Sequence, residues 1–215
     1  MEQKQIRAVI FDMDGVIVDS EIVYMQYLFE FARKKNPEVV MEDLNPMVGL
    51  SRKDSWSVME KAIGNGQTWE ELKEEFSRLD IYRGVDYRKI YRPEAGETVR
   101  ELRRRGYAVA LASSTGPSLI ARIMEETGMR SAFDLIVSGK QFRQSKPNPE
   151  IYHYTAKTLG VPEEACFVLE DSTVGIQAAK KAGMTVAALR DDRFGFDQSP
   201  ADYHVERISE ILSYL

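Results

Sequence analysis

The sequence predicts an α/β fold, a doubly wound parallel sheet into which an all-helical domain is inserted. Short apolar runs alternate with helical patterns of about ten residues, which favours right-handed crossovers between parallel strands. These runs are continuous rather than alternating, as is typical of strands covered on both faces. The first run is followed by a long segment with helical patterns and no convincing strand. The helical part is therefore expected as an insertion after the first strand.

Five apolar runs are predicted strands, because they are rich in β-branched residues and too short for helices. Between these runs lie four helical patterns, several of which stop at a glycine, a residue that commonly ends helices. The predicted strands are 8–11, 108–112, 135–137, 166–169 and 186–189, and the helices between them are 97–105, 117–126, 149–159 and 175–182.

The inserted segment contains three amphipathic patterns, at 21–35, 52–63 and 69–79, separated by Asn-Pro and Gly-Asn-Gly turns. We expect residues 1–18 and 91–215 to form the α/β core domain and residues 19–90 to form a helical cap domain. The simplest arrangement of such an insertion is a helical lid over the core.

The composition is that of a soluble globular protein, with 43% hydrophobic and 29% charged residues in 215. Its net charge of −5 provides no general attraction for nucleic acid or an anionic membrane. No apolar stretch approaches the roughly 20 residues of a membrane span. The one cysteine, Cys166, stands in an apolar run and is interpreted as a packing residue. We expect a cytoplasmic monomer without nucleic-acid or membrane partners.

Chemically active residues follow the predicted strands at the point where each strand ends. Asp12 and Asp14 follow the first run, Glu170 and Asp171 the fourth, and Ser113 the second. Because ligands of open parallel sheets bind beyond the carboxyl ends of the strands, these side chains are expected at one edge. A single Asp or Ser there would be interpreted as a helix cap, but four gathered carboxylates need a cation to neutralise them.

Oxygen ligands without a histidine or cysteine cluster favour Mg²⁺, which commonly has phosphate-bearing partners. Ser113, Ser114 and the backbone N–H groups at the start of the next helix could bind an anion. Lys146, after the third run, would add a positive charge to the same site. Metal, lysine and amide donors together indicate a site for a phosphoryl group.

The ordered set of Asp12-x-Asp14-Gly15, Ser113, Lys146 and Glu170-Asp171 resembles the haloacid dehalogenase-like superfamily. Within it, the sequence is most similar to the helical-cap branch of β-phosphoglucomutases and sugar-phosphate phosphatases. The segment 49–55 is similar to the substrate-specificity loop of that branch. The resemblance covers nearly the whole chain and implies a Rossmann-like core.

The resemblance implies a role for each matching residue. Asp12 would be the nucleophile that forms an aspartyl-phosphate, and Asp14 the general acid/base. Ser113, Ser114 and Lys146 would bind the phosphoryl oxygens. Mg²⁺ would be held by the Asp12 carboxylate, the Asp14 backbone carbonyl and Asp171, with Glu170 as an additional or water-mediated ligand.

The sequence leaves three activities open. A phosphatase acting on small phosphorylated metabolites, sugar phosphates first, is preferred over a β-phosphoglucomutase, because the mutase branch carries a cap histidine where this chain has Tyr24. For a mutase, Arg52 in the cap and Thr115 beyond the transfer site would bind the second phosphate. Tyr24 would contact a substrate hydroxyl or pack at the hinge. The third alternative is a non-catalytic metabolite-binding module, although no motif residue is missing.

Overall fold

The structure is a computed structural model that describes residues 5–47, 52–79 and 81–215, with Arg52 described by its backbone alone. Six strands lie in the described residues: β1 (Ala8–Phe11), β2 (Ala108–Ser113), β3 (Leu135–Ser138), β4 (Cys166–Glu170), β5 (Thr185–Leu189) and β6 (Tyr203–Val205). Nine α-helices accompany them there: α1 (Ser20–Lys35), α2 (Met41–Leu44), α3 (Arg52–Ile63), α4 (Trp69–Ser77), α5 (Tyr87–Ile90), α6 (Pro93–Arg104), α7 (Pro117–Glu126), α8 (Glu150–Leu159) and α9 (Thr173–Lys181).

The six strands form one parallel sheet in the order β3-β2-β1-β4-β5-β6. The predicted α/β class is therefore confirmed. From β1 the chain winds outward to β2 and β3, and later returns to the other side of β1 to build β4, β5 and β6. The order reverses between β1 and β4, and this switch point is where ligands of such sheets bind.

Helices α8 and α9 cover one face of the sheet. Their apolar side chains, including Ile151 and Ile176, share a buried cluster with Ile10 and Val168. Cys166 belongs to the same cluster and is fully buried. Burial raises the pKa of its thiol to about 12, with the charges of Glu163 and Glu164 adding to the effect. The interpretation of this cysteine as a packing residue fits these surroundings.

Three helix boundaries differ from the sequence prediction by two residues or more. Helix α6 begins four residues earlier than predicted, at Pro93, whose missing N–H is harmless in a first turn. Helix α9 begins at Thr173, because Ser172 caps it by accepting a hydrogen bond from the Gly175 N–H at 3.1 Å. Helix α4 ends at Ser77 instead of residue 79.

The chain divides into two compact units. The first, called the sheet unit, contains residues 1–19, 86–190 and 197–215. The second, called the helical unit, contains residues 20–85 and 191–196. The predicted boundary at residue 90 thus differs by five residues, since α5 groups with the sheet unit: the Tyr87 N–H donates to Glu126 of α7 at 3.1 Å.

The helical unit has its own aromatic core. The Phe76 ring of α4 lies 5.3 Å from the ring of Phe31 and 5.5 Å from that of Trp56. Phe194 is also buried in this cluster, although it comes from the loop that follows β5. Residues 48–51 lie outside the described residues, and they include the first part of the predicted specificity loop, 49–55. None of the helices in the described part of the chain has the length and apolarity needed to cross a bilayer.

Candidate active site

Strands β1 and β4 place their terminal carboxylates side by side. Asp12 is the first residue after β1, and its backbone N–H donates to the Leu169 carbonyl of β4 at 3.0 Å. Its side chain is buried, and so are those of Glu170 and Asp171 at the end of β4. The parallel register therefore brings Asp12 to the pair of acids that lies far from it in the chain.

Lys146 joins the two strand ends. Its Nζ donates to Asp12 Oδ1 at 2.5 Å, to Glu170 Oε1 at 2.6 Å and to the Ala112 carbonyl of β2 at 3.0 Å. Only 4% of the lysine side chain is exposed. All three ammonium protons therefore have an acceptor, and the charge is held at a fixed point beside Asp12.

The Glu170 carboxylate is held from both sides. Its Oε1 also accepts from the Tyr152 hydroxyl at 2.8 Å, and Oε2 accepts from the N–H groups of Asp171 and Ser172 and from the Ser172 hydroxyl at 3.1–3.3 Å. The Tyr152 ring lies beneath Lys146, with 5.1 Å between Nζ and the ring centroid. Both oxygens are thus engaged, and Glu170 fixes the position of Lys146.

Two glycines leave room for the buried acids. A Cβ on Gly175 would lie 1.9 Å from Glu170 Oε1, and a Cβ on Gly15 would lie 1.9 Å from Asp171 Oδ2. Gly15 also has a φ of +79°, which side-chain-bearing residues rarely adopt. These positions therefore need glycine because a carboxylate occupies the space of a side chain.

The site carries more negative than positive charge. Burial raises the pKa of Asp12 to about 8; Lys146 opposes this rise, while Glu170 and Asp14 add to it. Burial alone would lower the pKa of Lys146, but the charges of Asp12 and Glu170 hold it well above its usual value. Lys146 is therefore a permanent cation that does not by itself neutralise its acidic neighbours.

Asp12, Glu170 and Asp171 fit a divalent cation. Each offers a carboxylate oxygen, and these three atoms lie within 4.8 Å of one another. Oxygen donors without imidazole or thiolate suit Mg²⁺. When all three carboxylates are ionised beside one ammonium, two negative charges remain, which a divalent cation balances. The donor chemistry and the charge therefore agree with the predicted metal.

Asp14 belongs to a second group at the end of β2. Its Oδ2 accepts hydrogen bonds from the Thr115 hydroxyl at 2.8 Å and from the Ser113 hydroxyl at 3.3 Å. The Ser114 hydroxyl accepts from that of Ser145, the neighbour of Lys146, at 3.2 Å. The sequence-predicted residues of the sheet unit other than Ser114 therefore form two hydrogen-bonded groups, one around Lys146 and one around Asp14.

The two predicted substrate residues of the cap lie in the helical unit. Tyr24 of α1 is half-buried, and its ring packs edge to face on Phe76 at 5.8 Å. Burial, with the charge of Glu21, raises the pKa of its phenol, which therefore remains a hydrogen-bond donor at neutral pH. Arg52 opens α3, and its side chain is outside the described residues. Their roles toward a substrate stay predictions.

A family model described as haloacid dehalogenase-like hydrolase matches residues 9–189. The chain belongs to the haloacid dehalogenase-like hydrolase family. This membership confirms the resemblance seen in the sequence, and with it an enzyme rather than a non-catalytic binding module.

Relatives of this hydrolase include proteins with named activities. A phosphorylated carbohydrates phosphatase of Thermotoga maritima is 27% identical over 179 residues, which cover 82% of each chain. The chloroplastic protein Suppressor of Quenching 1 of Arabidopsis thaliana is 33% identical over 195 residues, or 86% of this chain. Those residues are 18% of the Arabidopsis protein, so this hydrolase spans about a fifth of that relative's length.

A solved structure supports the fold. The β-phosphoglucomutase of Clostridium difficile matches with a TM-score of 0.71 and 22% identity, over 98% of this chain and 95% of the other. At this identity the match concerns the fold alone. It agrees with the parallel six-stranded sheet and its flanking helices.

Sequence reasoning missed several residues that build this hydrolase's site. Tyr152 lies within a predicted helix, and nothing in the helical pattern distinguishes it from a packing residue. Gln198 donates from Nε2 to the Asp171 carbonyl at 2.6 Å from a loop without a pattern of its own. Gly175 did carry a signal, since a glycine in a helical pattern costs about 1 kcal/mol relative to alanine and therefore invites a search for a packing reason.

Proposed function

We propose that this hydrolase is a Mg²⁺-dependent phosphatase that acts on small phosphorylated metabolites, sugar phosphates first, through an aspartyl-phosphate. The observation that carries the proposal is the ion pair of 2.5 Å between Lys146 Nζ and Asp12 Oδ1, set among buried carboxylates at the switch point of the sheet. The named activity of the Thermotoga maritima relative supports the phosphatase and the carbohydrate substrate.

In the first step a carboxylate oxygen of Asp12 attacks phosphorus. The bond between phosphorus and the ester oxygen breaks as the new bond to Asp12 forms, and Asp14 gives its proton to the departing oxygen. In the second step Asp14 takes a proton from water, which attacks the phosphorus of the aspartyl-phosphate. The bond to Asp12 then breaks, so that phosphate leaves and both aspartates return to their initial state.

The remaining polar residues of the sheet unit hold the transferred group. We assign Lys146, Ser113 and Ser114 to the phosphoryl oxygens, where fixed donors stabilise the charge of the transition state. Asp12, Asp171 and the Asp14 carbonyl would hold Mg²⁺, with Glu170 as an additional or water-mediated ligand. The metal supplies charge neutralisation that lets an anionic nucleophile approach an anionic ester.

Two residues of the helical unit are proposed to bind the substrate. Arg52 and Tyr24 would contact the part of the metabolite that leaves, Arg52 through its charge and Tyr24 through its hydroxyl. We expect the enzyme to act as a cytoplasmic monomer without nucleic-acid or membrane partners.

The first prediction concerns the nucleophile and the metal. We expect Mg²⁺-dependent release of phosphate from p-nitrophenyl phosphate, abolished by EDTA and restored by added Mg²⁺. Asp12→Asn should lower turnover at least about a thousandfold, because the amide is a poor nucleophile. Asp192→Asn makes the same chemical change at an exposed position and should leave turnover unchanged. Full activity of Asp12→Asn, or turnover indifferent to EDTA, would contradict the proposal.

A separate measurement distinguishes the phosphatase from the mutase. The protein is incubated with β-glucose 1-phosphate and a trace of the corresponding bisphosphate, and glucose 6-phosphate and free phosphate are followed together. We expect free phosphate to dominate. Isomerisation that outruns hydrolysis tenfold would assign the mutase activity instead.

A further inference from the structure

The general acid/base assigned above is held by two hydroxyl groups on one oxygen. Asp14 Oδ2 accepts from Thr115 Oγ1 at 2.8 Å and from Ser113 Oγ at 3.3 Å. An aspartate side chain has a broad, weakly restricted terminal torsion, so its carboxyl plane is not fixed by rotamer preference. Two donors, one at the end of the neighbouring strand β2 and one in the turn that follows it, fix that plane.

Thr115 is itself anchored at its backbone. Its N–H donates to Ser113 Oγ at 3.0 Å, and its carbonyl accepts from Ser138 Oγ at 2.6 Å. Ser138 ends β3, so the turn after β2 is tied to the next strand. Thr115 therefore presents its hydroxyl to Asp14 from a backbone that is held at both ends.

The close packing of β3 against this turn reinforces the anchor. Gly139, which follows Ser138, leaves so little space that a Cβ there would lie 3.2 Å from Ser114 Cα and 3.3 Å from the Ser113 carbonyl oxygen. The hydroxyl of Thr115 is thus part of a rigid scaffold built from the ends of β2 and β3.

We propose that Thr115 is a positioning residue for Asp14. Its hydroxyl orients the Asp14 carboxyl group toward the ester oxygen of the leaving group. The inference rests on the phosphatase mechanism proposed above and deepens it. It differs from the sequence prediction, in which Thr115 contacts a second phosphate of the substrate. A substrate contact and a positioning contact have different kinetic consequences.

The difference lies in how the rate depends on the leaving group. The p-nitrophenolate ion is a weak base that leaves without a proton, whereas phenolate is a stronger base that benefits from protonation by Asp14. Both are flat aryl groups without a second phosphate, so a substrate-contact role for Thr115 affects neither. The ratio kcat/KM is used because it reports the step in which Asp12 is phosphorylated and the leaving group departs.

The experiment compares p-nitrophenyl phosphate with phenyl phosphate in the presence of Mg²⁺. Thr115→Val keeps the shape of the side chain and removes its hydroxyl. We expect kcat/KM to fall about tenfold or more on phenyl phosphate and less than about threefold on p-nitrophenyl phosphate, a part of the 10²–10⁴ range of acid–base catalysis. Thr115→Ser, which keeps the hydroxyl, should restore most of the loss.

Thr127→Val provides the matched control. It removes a hydroxyl from a residue that is also half-buried and that donates to the Ile123 carbonyl at 2.7 Å. We expect Thr127→Val to leave kcat/KM unchanged on both substrates. Thermal unfolding of each variant checks that the fold is kept.

Each outcome has a defined meaning. An equal loss on both esters by Thr115→Val, no loss at all, or a failure of Thr115→Ser to restore activity would overturn the positioning role while leaving the phosphatase intact. Absence of Mg²⁺-dependent turnover in the unmodified protein on both esters would overturn the proposed function and this inference with it.

Discussion

Gly175 lies in the first turn of α9, where alanine would ordinarily be the better helix former by up to about 1 kcal/mol. The Glu170 carboxylate occupies the space that an alanine methyl group would need. A residue that weakens the isolated helix thereby permits the hydrogen bonds that hold Lys146. A Gly→Ala substitution usually stabilises a helix, but at this position we expect it to destabilise the protein.

The prediction is that Gly175→Ala lowers the free energy of unfolding by about 2 kcal/mol, because the displaced carboxylate cannot keep its partners. Phosphatase activity should fall with it, since Lys146 loses one of its anchors. Urea unfolding and phosphate release measure the two effects. Gly84→Ala is the control, as its Cβ would meet only Tyr27 Oη at 3.9 Å. Equal stability of the two variants would contradict the prediction.

At the scale of single residues, the sequence predicted the acids and Lys146 because each follows a strand that the apolar runs reveal. It did not predict that Thr115 bonds to Asp14 or that Tyr152 bonds to Glu170. Whether such a hydrogen bond forms depends on the positions of two side chains to within tenths of an ångström. The two residues are far apart in the chain. Periodicity carries no information of that kind.

Helix α6 contains a glycine, Gly96, beneath the side chain of Tyr91, which lies in the segment before the helix. Tyr91 pairs with Val18 in an antiparallel bridge, and its hydroxyl reaches over Gly96 to donate to Met129 Sδ at 3.3 Å. A Cβ on Gly96 would lie 2.2 Å from that hydroxyl oxygen. The glycine within the helix therefore makes room for the tyrosine.

A double-mutant cycle tests this interpretation. Gly96→Ala is expected to cost about 1–3 kcal/mol when Tyr91 is present, because the methyl group displaces the hydroxyl. In a Tyr91→Phe background the same change should be neutral or stabilising by up to about 1 kcal/mol, since alanine favours the helix. Urea unfolding of the four proteins gives the coupling. The same cost in both backgrounds would exclude the proposed steric cause.

Among the elements, the first five strands were predictable from continuous apolar runs, and the sequence prediction agrees with their positions. Strand β6 was missed, because it has three residues and two of them are exposed. The predicted start of α9, at residue 175, lies two residues after the observed start at Thr173, which Ser172 caps. A cap is recognised by the hydrogen bond that it accepts, and the sequence does not show that bond.

At the scale of the molecule, a loop from the sheet completes the helical unit. Residues 191–196 follow β5 in the chain but group with the helical unit, and Phe194 is buried in that unit's aromatic core. The contiguous boundaries expected from the sequence omit this loop. Composition does not reveal the membership, because a short loop with two phenylalanines has no distinctive pattern.

Removing the Phe194 ring should therefore weaken the helical unit. Phe194→Ala is expected to lower its free energy of unfolding by about 3 kcal/mol, the loss typical of a buried phenylalanine. Tryptophan fluorescence during urea unfolding measures the change, since the two tryptophans of the chain, Trp56 and Trp69, both lie in this unit. Leu79→Ala removes an exposed apolar side chain of the same unit and should cost under about 1 kcal/mol. An unchanged midpoint for Phe194→Ala would show that the loop is not part of the core.

The central position of β1 has a consequence during translation. Ala8 pairs with Ala108 on one side and with Cys166 on the other, so β1, which is translated before the other strands of this sheet, meets its two neighbours only much later in synthesis. At roughly 5–20 residues per second, the nascent segment waits from about 8 to about 30 seconds for its second partner. Until β2 has also been made, the apolar stretch that precedes the proposed nucleophile has no strand to pair with, and one of its edges stays unpaired until β4 follows. We expect newly made chains to depend on chaperone protection at this segment more than chains refolding at full length.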